Sequence, residues 1–108
     1  MKIYLANGLF SEADYNYNEM LADQITELGF DIYVPQRNEA INDKTKTADS
    51  LMIYHGDKDE LDSSVILVAV FDGVTLDAGV ACEIGYFASQ GRAIYGLFTD
   101  GREASKTV

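Results

Sequence analysis

One carboxylate stands out by its surroundings. From Ala78 to Gln90 the chain reads AGVACEIGYFASQ, and Glu83 carries the only charge in that stretch. Helical spacing puts Gly79, Val80, Tyr86 and Phe87 on its face. An ionised carboxylate on an apolar surface loses hydration and is seldom buried without a partner or a purpose. Two readings stand open: a glutamate that faces water on a mostly buried helix, or a carboxylate held in an apolar site for chemistry. Asp77 sits just before the same helix, where an N-cap accepts a backbone N–H; at the mouth of a crevice it can also bind a ligand hydroxyl, and the two roles are compatible. Asp57 aligns with Ile53 and Leu61 at four-residue spacing, although the DKDELD run around it reads as a solvated acidic face. A simple crossover also carries the end of that helix to the amino edge of a sheet. Asp57 then reaches a site at the opposite edge only if its helix is displaced or broken, with Gly56 as the weak point.

The elements that must position these groups alternate. KIYLAN (2–7) is apolar and closed by the turn signal Asn7-Gly8. Ser11 offers an N-cap with Asp14 three residues on. Tyr17, Leu21, Ile25 and Leu28 follow at helical spacing up to Gly29, which suits a C-terminal cap. FDIYV (30–34) reads as a second strand stopped by Pro35, followed by a polar loop from Gln36 to Lys46. A second helix from about Thr47 carries Leu51, Met52 and Tyr54. VILVAVF (65–71) is a continuous apolar run, as a central parallel strand buried on both faces requires. Asp72 to Asp77 is a loop, Ala78 to Gln90 a third helix and AIYGLF (93–98) a fourth strand. This order calls for an α/β, flavodoxin-like, doubly wound parallel sheet with strand order 2-1-3-4. Its crevice lies between the carboxyl ends of strands 1 and 3, beside Asn7–Phe10 and Asp72–Asp77.

Composition narrows the classes. The 108 residues suffice for one domain, and 18 acidic against 8 basic residues leave a net charge of −10. Such a surface repels phosphate backbones and anionic membranes, whereas a small neutral ligand is compatible with it. A single cysteine, Cys82, and a single histidine, His55, supply neither an internal disulfide nor a zinc site. No run approaches ~20 apolar residues and MKIYLANGLF is not a signal peptide, so a reduced cytoplasm is the expected location. GxGxxG and P-loop patterns are absent, and Arg37 alone is too little for a phosphate clamp. Met20, Met52, most tyrosines, His55 and Cys82 are assigned to packing.

IYLANGLF, YVPQRNE and above all DGVTLDAGVACEIGYFASQGR resemble the corresponding segments of nucleoside 2-deoxyribosyltransferases. The last matches the pattern D-x-G-x-x-x-E-x-G-Y through Asp77, Gly79, Glu83, Gly85 and Tyr86. The resemblance runs from residue 1 to about 100. It implies that Glu83 is a nucleophile, attacking C1′ of a 2-deoxynucleoside and holding deoxyribose as an ester until a second base arrives. Asp57 matches the acid that exchanges a proton with the bases, and Tyr4 the phenol that orients the nucleophile. Asp77, Gly8, Phe10, Asn38 and Glu39 form the implied substrate-binding set: Phe10 packs on the substrate, and Asn38 and Glu39 fall where base-contacting side chains lie. No metal and no organic cofactor are implied. The partners are 2-deoxynucleosides and free nucleobases, with no polymeric nucleic acid and no membrane.

Related deoxynucleotide N-hydrolases share the glutamate motif but carry a serine- and arginine-containing loop after strand 1 for the 5′-phosphate. ANGLF lacks it, which favours an unphosphorylated nucleoside. Two alternatives remain: a hydrolase using Glu83 with water as acceptor, and a non-catalytic nucleoside-binding or signalling domain. A receiver-like module needs clustered acids after strand 1, where this chain has Ala6-Asn7; only Asp72 fits. Family members continue past strand 4 into a fifth strand and a segment that helps close the pocket. A single domain over residues 1–108, short at its C-terminus, is therefore expected, and its apolar edge strand 4 favours a homo-oligomer.

Overall fold

The computed structural model describes residues 2–9, 11–37, 50–72 and 76–99, with the backbone alone for 50–55. Four strands form one sheet: β1 (Lys2–Ala6), β2 (Asp31–Tyr33), β3 (Ile66–Val70) and β4 (Ala93–Leu97). All neighbours are parallel, and the order is β2-β1-β3-β4, as expected. Helices α1 (Glu12–Glu27), α2 (Ser50–Ser63) and α3 (Ala78–Ser89) supply the crossovers.

The pleat divides the core into two clusters. Leu5, Val34 and Val70 pack with Ala22 of α1 on one face of the sheet. Tyr4, Ala6, Leu67 and Ala69 pack with Leu61 of α2 and with Val80 and Phe87 of α3 on the other. β3 contributes to both clusters, which is why its sequence is apolar without alternation. Each chemically interesting side chain on the sheet is thereby assigned to a face.

Ser11 caps α1 by accepting the Asp14 N–H at 3.0 Å. At the other end Gly29 adopts φ +95°, its N–H bonding to Thr26 O and that of Phe30 to Ile25 O. This is a Schellman closure, and it absorbs Phe30 into the helix terminus, so β2 starts a residue later than expected. The face that α1 buries is centred on Asn18 and Ala22 rather than on the apolar series, and Met20, assigned to packing, is 47% exposed. Beyond β2, residues Pro35–Arg37 form a 3-10 turn instead of open loop. Helix α2 runs unbroken through Gly56, the weak point at which a break was considered.

Candidate active site

A crevice of ≈ 440 Å³ opens at the carboxyl end of β1. Asn7, Gly8 and Leu9 form one side, Pro35 another, and α2 and α3 contribute Asp57, Asp77, Glu83 and Tyr86. Its volume falls in the range of small-molecule sites, ≈ 300–1,000 Å³.

Val80 and Phe87 anchor α3 on the sheet, and Glu83 lies three residues after one and four before the other. It therefore faces the sheet, where the fully buried Tyr4 donates its phenolic O–H to a Glu83 oxygen. Burial pushes the Glu83 carboxyl up to about 7; the Tyr4 hydrogen bond opposes this, and the charges of Asp57 and Asp77 add to it. Burial, followed by the neighbouring Glu83 charge, drives the Tyr4 phenol far above its ordinary value, so it remains a donor. Glu83 is thus partly buried, turned toward the sheet and the crevice.

Asp57 lines the same crevice. Its helix is unbroken at Gly56, and the reach comes from position along the helix. Glu60 ion-pairs with Lys2 at the amino end of β1, while Asp57, almost one turn earlier, meets the Tyr33 hydroxyl at 3.0 Å. Burial raises the Asp57 carboxyl; the Tyr33 hydrogen bond opposes this and the Glu60 charge reinforces it. Asp77 caps α3, its side chain accepting the Val80 N–H at 3.1 Å. It also borders the crevice. At Gly8 an added Cβ would lie 3.0 Å from an Asp14 oxygen and 3.8 Å from one of Asp77, so a larger residue would crowd the mouth. Phe10, Asn38 and Glu39 lie outside the described residues, as do the side chains of Met52 and His55.

Several participants were not singled out from sequence. Gln36, assigned to a polar loop, is 1% exposed, and Asn18 is 3% exposed. The Asn18 amide donates to Gly8 O and to Gln36 Oε1 and accepts from Asn7, while Gln36 donates to Tyr15 O and Glu19. This network fastens both loops of the crevice to α1. Arg37 ion-pairs with Glu19 and Asp23, and its hydrogen bonds hold Glu19 below the usual carboxylate range. Cys82, assigned to packing, is an exposed free thiol lining the crevice. Tyr33 carried a usable signal, a second tyrosine on the strand next to Tyr4. Among the described residues no group of three or more His, Cys, Asp or Glu is placed to hold a metal ion, and no helix is long and apolar enough to cross a membrane.

The parallel α/β sheet thus carries, in a crevice at the carboxyl end of β1, one phenol-bound carboxylate and a second acid beside it. The sequence profile of the nucleoside 2-deoxyribosyltransferases matches residues 3–108, and the chain belongs to that family. A conserved protein from Enterococcus faecalis V583 superposes with TM-score 0.84 at 47% identity, over 99% of this chain and 70% of that one. A 2-deoxyribosyltransferase from Bacillus psychrosaccharolyticus gives TM-score 0.78 at 20% identity, over 94% and 74%. A 2-deoxyribosyltransferase from Leishmania mexicana gives 0.71 at 21%, over 92% and 65%. The last two likenesses are of fold. No curated protein sequence matches the chain significantly.

Proposed function

We propose that the chain transfers 2-deoxyribose between nucleobases, with Glu83 as nucleophile, Asp57 as proton donor and acceptor, and Tyr4 orienting Glu83. The observation that carries this is the Glu83 carboxylate, bound by the Tyr4 phenol in a crevice that Asp57 shares. A Glu83 oxygen attacks C1′ as the C1′–N bond breaks, and protonated Asp57 delivers its proton to the departing base. The sugar is left as an ester on Glu83. A second base, losing a proton to Asp57, attacks C1′ and frees the Glu83 carboxylate, as in a retaining glycosidase. Asp77 and Gly8 border the sugar, and Phe10, Asn38 and Glu39 complete the substrate contacts.

The electrostatics favour an unphosphorylated donor. Among the described residues lining the crevice Lys58 is the one cation, and it ion-pairs with Asp62. Arg37 is engaged by Glu19 and Asp23. A 5′-phosphate would meet Glu83, Asp57 and Asp77 without a free base among the described residues to offset them. Among the described residues β4 is an edge strand of the sheet, and with Tyr95 62% exposed it supports association with a second copy. The exposed free thiol Cys82 suits a reducing cytoplasm.

Incubation with deoxyinosine, with and without adenine, followed by chromatography, tests the reading. Deoxyadenosine formed only with adenine supports transfer, whereas equal hypoxanthine release in both samples points to hydrolysis. No reaction with deoxynucleosides, or base exchange retained in Glu83→Ala, overturns the assignment.

A further inference from the structure

The sheet presents two phenols side by side. Tyr4 and Tyr33 are Cα partners in the β1–β2 register, and their rings lie 5.4 Å apart at 49°. Both project onto the face covered by α2 and α3. There Tyr4 donates to Glu83 of α3 and Tyr33 donates to Oδ1 of Asp57 of α2. Each crevice carboxyl thus has its own phenol, delivered by one pair of registered strand positions.

We infer that Tyr33 is a positioning residue for Asp57, holding Oδ1 so that Oδ2 carries the exchangeable proton toward the crevice. This rests on the transferase reading above. A protonated carboxyl has one hydroxyl and one carbonyl oxygen, and the carbonyl oxygen is the better acceptor from a phenol. A fixed donor on Oδ1 therefore places the proton on Oδ2. Without it the two oxygens become equivalent, and rotation about the terminal torsion, which is soft for aspartate, exchanges them. Positional precision of this kind matters because a proton donor must lie within hydrogen-bond reach of the atom it serves. The groups that face Asp57 are Tyr33 and Tyr4 from the sheet, Glu83 from α3 and Glu60 from its own helix; the Lys58 ammonium beside it is engaged by Asp62.

Tyr33→Phe separates this role from packing, because the ring against Tyr4 is retained and the hydroxyl alone is removed. In the full chain, carbon-13 NMR of the Asp57 carboxyl is followed against pH in wild type and variant, beside the pH profile of deoxyinosine–adenine exchange. The Asp57 titration should move upward by roughly one pH unit, the worth of one hydrogen bond to a charged group. kcat should fall about tenfold with KM little changed, and the basic limb should move up with Asp57. An unmoved Asp57 titration overturns the inference whatever the activity. A moved titration with unchanged kcat overturns the positioning role. A moved titration in a protein whose wild type neither exchanges nor hydrolyses leaves the Tyr33 grip standing and removes the transferase reading.

Discussion

Replacing Glu83 with Gln is expected to stabilise the fold at pH 8 and to change it little at pH 4. The carboxyl ionises at its ordinary 4.5 in the unfolded chain but near 7 in the folded one, chiefly because it is buried. Between those values the folded protein keeps a proton that the unfolded chain has released. Raising the pH through this window therefore opposes folding. The cost is absent below 4.5 and complete above about 7. A move of that size corresponds to roughly 3 kcal/mol. Glutamine avoids the ionisation and still offers Oε1 to the Tyr4 hydroxyl, but its amide must also be partly desolvated. Glu83 is also partly open to the crevice, so a net gain of about 1–2 kcal/mol at pH 8 is the reasoned magnitude. In a domain of this size it should raise Tm by several degrees. Urea unfolding of both proteins at pH 4 and pH 8 measures it, with the m-values checked for equality. A difference of the same size at both pH values would refute the reasoning, as would a glutamine variant less stable than wild type at pH 8.

Three further outcomes follow from the same geometry. The acid limb of kcat/KM for base exchange should fall near pH 7, since the attacking Glu83 must be ionised; activity that persists undiminished at pH 5 would contradict it. Asp77→Ala should destabilise the fold by about 1 kcal/mol through loss of the α3 cap while Asp77→Asn retains most of it, as thermal unfolding of the two variants would show. Arg92 donates to the carbonyls of Leu61, Asp62 and Ser64 and lies over the Phe87 ring, so Arg92→Ala should cost about 1.5–3 kcal/mol in denaturant unfolding, well above a typical surface substitution.

The sheet was legible because its signals are local. VILVAVF is apolar on both faces, the βα alternation dictates parallel crossovers, and together these lead to the observed order. Glu83 was legible because a lone charge in an apolar helix is conspicuous. The position of Asp57 was not, because helical spacing says nothing about how far along a crossover a residue lies relative to the sheet edge. Its contact also depends on the length of the Tyr33 side chain from a different strand. Asn18 and Gln36 look like surface residues in the sequence, and they are buried because they satisfy one another and the neighbouring backbone. Met20 misled for the complementary reason: α1 turns this amide face inward, which leaves the methionine outside.

The proposed cycle also explains why two acids share one crevice despite their repulsion. The charge of Asp57 raises the Glu83 carboxyl, so full ionisation of both is disfavoured and the pair tends to carry a single negative charge. The proposed cycle runs through the form with that charge on Glu83, the nucleophile, and the proton on Asp57, the reverse of the form in which an ionised Asp57 raises the Glu83 carboxyl. Forming the sugar ester neutralises Glu83 at the moment when Asp57 gives its proton to the departing base. The negative charge has then passed to Asp57, with no second one beside it. Attack by the incoming base reverses both changes together: Asp57 regains a proton as Glu83 regains its charge. Repulsion between the two carboxylates thus couples proton transfer to bond making, because loss of the Asp57 proton before the ester forms, or release of Glu83 before Asp57 regains its proton, places two carboxylate charges in one crevice. A phenol for each carboxyl is consistent with this arrangement: Tyr4 and Tyr33 donate to each acid in either charge state without adding a charge of their own.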